Sequence, residues 1–503
     1  MLPYLSLIIF IPLAAGLILL ALPAGRREWI RGVALAAAVI DLLLSAWVYA
    51  TYNITAGGYQ FIEQLPWVPA LGISYHVGVD GISTPLVLMA GVVVFCGVLI
   101  SWNVAERQRE FFAFLMFLAS SVFGVFASLD LFMLFFFFEL AVFPKYLMIV
   151  MYGWPKTREY GAMKLTLYLF IGSVIALIGA LAIYFGSGKF TFDMLELAKV
   201  GFNLEFQKLW FPFVFMGFAI LGGIFPFHSW APDGHVAAPT SISMLLAGVE
   251  MKVGAFAALR VGIELLPGGA REWAWLIMIL AVINIVYGAF IAMIQNDFKY
   301  VIGFSSVSHM GLVLLGFATL NEKGLLGSGM QMFSHGVMTA CFFAVVGMVY
   351  DRTHTREITK LGGLFKKMPW AAVGFIVAGL VSMGMPGFSG FNAEFPIFMG
   401  AWQATPQLPE AFFGKADLSG AVIAIIAILG VVITAAYILM VARRVFFGDL
   451  PAEFAEVGDV TVFDKLAIGL LSVIMIGLGW LPGMMAPMIQ SGVKSILTIL
   501  GGA

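Results

Sequence analysis

Charge is what this sequence lacks. Only 11% of its 503 residues are Asp, Glu, Lys or Arg, where a soluble domain carries about 25%. With 61% of residues hydrophobic, a water-soluble fold of this size could not cover its surface with polar groups. A soluble enzyme, a nucleic-acid binder and a secreted scaffold are excluded together. The net charge of −1 leaves no bulk attraction for nucleic acid or acidic lipid. Cysteine is nearly absent. Cys96 and Cys341 both lie in apolar stretches, and two thiols can neither ligate an iron–sulfur cluster nor build a disulfide framework. No nucleotide motif, redox-ligand set, metal-ligand pattern or catalytic nucleophile stands out. No basic segment precedes the first apolar run, which starts at Leu2, so that run reads as a retained helix and not a cleaved signal.

What is present is apolar sequence, cut by polar, Gly and Pro clusters into about fourteen runs. A span needs about 20 apolar residues, so the chain reads as an all-α polytopic membrane protein. The expected cores are 2–22, 31–50, 84–103, 111–129, 131–152, 160–184, 210–225, 237–264, 272–294, 300–320, 325–350, 370–386 continuing to 402, 418–446 and 464–482. The longest connections are 51–83, 187–209 and 447–463. The middle one contains TFDMLELAKV, whose spacing suits a short interfacial helix, and the tail 484–500 suits another. Sixteen basic residues fall in the loops after odd spans and eight in the loops after even spans, Arg260 and Lys415 among the eight. The excess places the odd-span loops in the cytoplasm and both termini on the opposite, periplasmic side.

Charges inside apolar runs are the informative residues, because an ionised group at the bilayer centre costs at least about 2.5–3.5 kcal/mol. Glu139 follows four phenylalanines, Lys145 lies six residues on, and Lys164 sits about a turn into its span. Glu250 and Lys252 lie mid-span, two residues apart and so on roughly opposite sides of one helix. They cannot pair with each other, and each needs a partner elsewhere. Glu139 and Lys164, on consecutive helices, suit an acid–base pair, which stays ionised in contact and shifts toward neutrality when parted. His309, in GFSSVSHMG, and His335, in MQMFSHGVM, titrate near neutral pH and can relay protons; haem ligation is the alternative. His76 and His354 read as loop residues with little signal.

Two spans are interrupted. AILGGIFPFHSWAPDGHVAAPTS carries Pro226, His228 and His235, and VSMGMPGFSGFNAEF carries Pro386 and Glu394. Irregular backbone at membrane depth must line protein or water, which gives Pro226, Pro386 and His228 a gating or structural role. The interruptions fall five spans apart, as expected of two inverted five-helix repeats each with a broken helix. The organisation that follows is 1–110, three N-terminal helices; 111–264, the first repeat, broken near 222–239; 265–446, the second, broken near 384–390; and 447–503, the last helix and tail.

The stretches FFELAVFPKYLMIVMYG, FPFHSWAPDGHVAAPTS, AGVEMKVGAFAALR, VIGFSSVSHMG, MQMFSHGVM and MPGFSGFNAEF resemble, in order and spacing, the antiporter-like membrane subunits of bacterial respiratory complex I, the proton-translocating NADH:quinone oxidoreductase, and among them the M type. The resemblance covers nearly the whole chain. It implies one proton-translocating unit in a bacterial cytoplasmic (inner) membrane, with sister membrane subunits as partners and flavin, iron–sulfur clusters and quinone on other chains. It carries a proton-pathway role over to Glu139, Lys164, Lys252, His309, His335 and Glu394. Sister subunits and Mrp-type sodium/proton antiporters usually hold lysine at the last of these positions. In one respect the sequence departs from the pattern. Leu221, seven residues before His228, stands where the family normally has a lysine, while Lys145 and Glu250 are charges where the family usually has apolar residues. The expectation is that Lys145 and Glu250 form a compensating buried pair. The alternatives are an Mrp-type antiporter subunit and a non-pumping scaffold subunit.

Overall fold

A chain this apolar has one way to bury its backbone polar groups in hydrocarbon, which is to close them within helices. The computed structural model describes residues 2–405 and 419–501, so Lys415 lies outside the described residues. Its membrane helices are α1 (Tyr4–Ala21), α2 (Arg27–Thr51), α3 (Ser83–Ile100), α4 (Gln108–Ala127), α5 (Leu131–Tyr152), α6 (Arg158–Gly186), α7a (Leu204–Leu221) with the short α7b (Trp230–Ala237), α8 (Thr240–Ile263), α9 (Pro267–Ile294), α10 (Phe298–Ala318), α11 (Glu322–Thr353), α12a (Pro369–Ser382) with α12b (Ser389–Gln403), α13 (Gly420–Phe446) and α14 (Val462–Trp480). Among the described residues thirteen are long and apolar enough to cross a membrane, and α12a is a shorter apolar helix. The chain is thus a multi-pass membrane protein. An amphipathic helix, α15 (Ala486–Ile499), follows.

Helix starts are set by side-chain caps. Asp130 accepts the amides of Phe132 and Met133 at the start of α5, and Asp297 those of Lys299 and Tyr300 at α10. Asn321 caps α11, and Thr461 with Asp464 forms a capping box at α14. Burial then sorts the helices. The apolar windows of α8 and α11 are wholly enclosed, and that of α10 nearly so, whereas about a third to two fifths of α1, α2, α6, α13 and α14 is buried. The central helices have no face left for lipid.

Besides the interruption of α5 at Ala141, three regular elements are disturbed. α8 contains two π-helical segments, Leu246–Glu250 and Ala258–Ile263. α7 breaks at 222–229, and the freed backbone is met by neighbours: the Asn284 side chain of α9 donates to the Gly223 carbonyl (2.8 Å) and accepts the Phe225 amide (2.5 Å), and Trp230 Nε1 donates to the Ile220 carbonyl (2.8 Å). α12 breaks at 383–388. There Gly384 takes φ +61°, and a Cβ on it would lie 2.6 Å from Glu394 Oε2, so both the backbone and the close approach require glycine.

Three expectations are corrected. The 51–83 connection holds an antiparallel hairpin, β1 (Gln60–Val68) with β2 (Ile73–Val79); Pro66 and Pro69 had masked its alternation. His76 is a buried strand residue that bonds Asp193 through Nδ1 (3.1 Å). Arg260, counted with the loops, is buried inside α8, where Asp80 and Glu264 both accept its guanidinium. The expected short helix in TFDMLELAKV is present as one turn, Met194–Leu197, under an Asp193 cap.

Candidate functional site

Buried polar residues of α5 to α12 gather in the enclosed middle of the molecule. In the first half, α5 is split at Ala141 between two helical stretches, and each stretch carries one charge. Glu139 is half-buried, and its carboxylate accepts a hydrogen bond from Ser173 of α6. Lys145 points inward. Its ammonium donates to Oε2 of Glu250 on α8, with both side chains 1% exposed. Glu250 Oε1 has no partner. Lys252 is fully buried and donates to the Ala247 carbonyl.

Glu139 and Lys164 are not a pair. Lys164 reaches Asp233 of α7b (2.6 Å), and Asp233 also accepts the Tyr300 hydroxyl of α10 (2.8 Å). Both members of the Lys164–Asp233 pair are about a fifth exposed. The sequence reading missed Asp233 because α7b is too short and too broken to show as a span. Leu221, at the end of α7a, is buried against α8 at Gly254. His228 stacks on Phe225 and meets Tyr287 edge-on, and His235 is fully buried with neither ring nitrogen bonded. Pro226 and Pro386 lie in the two breaks, facing out of the bundle.

The second half is built from imidazoles and hydroxyls. His309 and His335 stack in parallel, ring centroids 5.3 Å apart and planes 8° apart. Rings stacked this way cannot face each other across a haem iron, so the haem alternative falls. His309 Nδ1 donates to the Ser305 carbonyl (2.9 Å), one turn back on α10. Its Nε2 lies 3.1 Å from the Ser382 carbonyl and 3.3 Å from the Ser382 hydroxyl. Ser382 thus offers an acceptor to the protonated ring and a donor to the neutral one, and His309 is matched in either state. Glu394 Oε1 stands 3.7 Å from His309 Nε2, too far for a hydrogen bond, and has no other partner. Hydroxyl contacts extend the network: Tyr437 to Ser305 (2.7 Å), and Ser334 with Ser389 (2.8 Å). Both nitrogens of His335 are unbonded. Buried polar atoms left open along a line of titratable groups are places for ordered water.

A cavity opens on the side of the odd-span loops. Its volume is about 690 Å³, and it is lined by Tyr152, Trp154, Lys299, Tyr350, Asp351 and Arg356, among others. Lys299 crosses its floor to the Ala238 carbonyl (2.5 Å), at the junction of α7b and α8. At the opposite end, Glu264 just outside α8 is held up at about pKa 7 by burial, with Asp80 adding to the shift and Arg260 opposing it. Outside both halves, a buried acid stands without a partner among the described residues. Asp41 of α2 is fully buried, neither carboxylate oxygen has a partner, and Ser45 one turn on is also open. The run ALAAAVIDLLLSAW had the signal that singled out Glu139, and it went unread. Among the described residues no three His, Cys, Asp or Glu side chains converge on a metal-ligand geometry.

Comparison with known proteins gives consistent relatives. Residues 128–419 match the family profile described as NADH:quinone oxidoreductase/Mrp antiporter, TM. NAD(P)H-quinone oxidoreductase chain 4 1 of Synechococcus sp. strain JA-2-3B'a(2-13) is 35% identical over 95% of this chain and 90% of its own. The chain 4 protein of Gloeobacter violaceus is 34% identical over 96% and 90%. Among solved structures, a chain of respiratory complex I from Thermus thermophilus, with bound NADH, superposes at TM-score 0.88 with 29% identity, covering 99% of this chain and 100% of that one. A chain of the Mrp complex from Dietzia sp. DQ12-45-1b shares the fold at TM-score 0.84 and 19% identity, covering both chains completely.

Proposed function

The chain belongs to the NADH:quinone oxidoreductase/Mrp antiporter transmembrane family, and from that premise we propose that it is the antiporter-like membrane-arm subunit of a complex I-type NADH (or other donor):quinone oxidoreductase, translocating protons across the membrane. Carrying one charge against 100 mV takes about 2.3 kcal/mol. The chain's own residues include no redox or nucleotide motif that could supply it, so the drive comes from redox chemistry on partner subunits, where flavin, iron–sulfur clusters and quinone reside.

In this reading protons enter from the cytoplasmic side at the cavity over Lys299. They pass along Lys252, His335 and His309 to Glu394, and leave on the other side. Glu139 and Lys164 answer changes in the neighbouring subunit, Lys145 and Glu250 compensate the apolar Leu221, and His228, Pro226 and Pro386 let the broken helices gate the route. Both termini lie on the outer side. The chain divides functionally at 110, 264 and 446. The observation that carries the reading is the series of buried titratable groups from Lys145 to Glu394, with open hydrogen-bonding atoms at Glu250, His335 and Glu394.

The test is made on native membranes. The subunit should co-purify with flavin and iron–sulfur polypeptides, and Lys252→Met should keep the complex assembled while lowering proton uptake per electron at least twofold. Co-purification with antiporter chains alone would give the Mrp-type reading instead. Unchanged uptake in the Lys252 variant would leave a scaffold.

A further inference from the structure

Two fully buried ammonium groups from different helices hang on one five-residue stretch of α8. Lys145, from α5, donates to Glu250, the last residue of the π segment Leu246–Glu250. Lys252 donates to the carbonyl of Ala247, the second residue of that segment. Glu250 keeps one oxygen free. Lys252 makes no ion pair with a described carboxylate, and a backbone carbonyl is the partner the structure gives it. Leu221 packs on Gly254, one turn beyond Glu250 on the same helix face. The charge that meets Glu250 therefore arrives from α5 and not from the end of α7a.

A π segment carries extra residue per turn compared with α-helix, and such segments collect at functional sites. Relaxing it to α geometry turns the residues on one side by about 100° relative to the other. That single movement takes Glu250 off Lys145 and the Ala247 carbonyl off Lys252. We propose that Lys145 and Glu250 are a proton-exchange pair of the first half, coupled to Lys252 by the Leu246–Glu250 π segment acting as a hinge.

The proton balance is simple. In contact, the charged pair and the neutral pair differ only by one proton moved from Lys145 Nζ to Glu250 Oε2, and both have zero net charge, so burial tolerates either. Parted, each ion stands alone in hydrocarbon, where the neutral form of each is favoured. Lys145 then gives its proton to the next base and Glu250 takes one from the next acid. When the segment re-forms, Lys252 regains its carbonyl and the pair closes. The pair adds a specific step to the translocation reading above and rests on it.

The experiment compares three variants in native membranes, with electron transfer and proton uptake measured separately. Lys145→Met with Glu250→Leu replaces the pair by apolar side chains of similar length, which a purely structural pair tolerates well. The expected result is normal assembly and electron transfer with proton uptake per electron reduced at least twofold. The exchanged pair, Lys145→Glu with Glu250→Lys, should keep more than half of the native uptake. Native uptake in the apolar variant overturns the proposal. If the apolar variant does not assemble, the exchanged pair decides, and failure to pump or to assemble overturns it. Lys252→Met separates the two levels. If it also pumps normally, the translocation reading fails. If it fails to pump while the apolar pair pumps, only the exchange pair is lost.

Discussion

The two halves of the membrane domain solve one problem by different means. The first half pairs buried and part-buried ions with opposite ions, Lys145 with Glu250 and Lys164 with Asp233, and leaves Lys252 on a backbone carbonyl. The second half gives His309 neutral dipoles in place of an opposite ion. His309 sits between the Ser305 carbonyl and Ser382, and Glu394 stands 3.7 Å from the imidazole without a direct bond. The difference teaches where each half is fragile. Taking one ion from a pair leaves the other bare, whereas taking one dipole from a lattice leaves several in place. The first half is sensitive to charge, and the second to backbone geometry.

The largest effect is expected where that contrast is sharpest. Lys145→Leu alone strands a buried carboxylate and should cost about 3–5 kcal/mol. It should be read as a lost thermal midpoint, or lost assembly, of the solubilised complex, with partial recovery on adding Glu250→Leu. A second-half counterpart is Gly384→Ala, which places a Cβ 2.6 Å from Glu394 Oε2 at φ +61°. Strain of this kind costs about 1–3 kcal/mol, and proton uptake should fall along with the thermal midpoint because Glu394 is displaced. Asn284→Ala, at the break in α7, leaves the Phe225 amide and the Gly223 carbonyl unsatisfied, for about 1–3 kcal/mol. Lys164→Met should cost less than about 1 kcal/mol, since its pair is partly solvated; an effect as large as that of Lys145→Leu would erase the distinction between inner and outer pairs. The smallest test concerns the far end of α8. Glu264 titrates at about 7 in the folded chain, above its ordinary 4.5, so the folded state binds more protons than the unfolded one between those values. Stability should therefore decline as pH rises from about 4.5 through 7 and level off above. Glu264→Gln should flatten that slope in a thermal melt.

The spans were legible because hydrophobic run length is a local property that the bilayer reads directly. Each expected core overlaps a helix, and both interruptions fall where the helices break. The Lys145–Glu250 contact was also legible, since two unusual buried charges of opposite sign have few other ways to be stable. Other pairings were not. Lys164 lay nearer in sequence to Glu139 than to Asp233, and only the fold of α7b brings that aspartate across. Asn284 of α9 is uncharged, so a search for ions passes over it, although it closes the break in α7. The hairpin escaped because two prolines interrupt its alternation, and Asp41 escaped although its run was as apolar as any.

The Lys145–Glu250 contact joins residues 105 positions apart, and this bears on how the protein is made. At roughly 5–20 residues per second, α5 leaves the ribosome some 5–20 seconds before α8 exists. For that interval its lysine has no counter-ion, and α8 in turn has no face suited to lipid. Biosynthesis must therefore hold these segments beside the insertion machinery until both have emerged, and the helices flanking them can settle only afterwards.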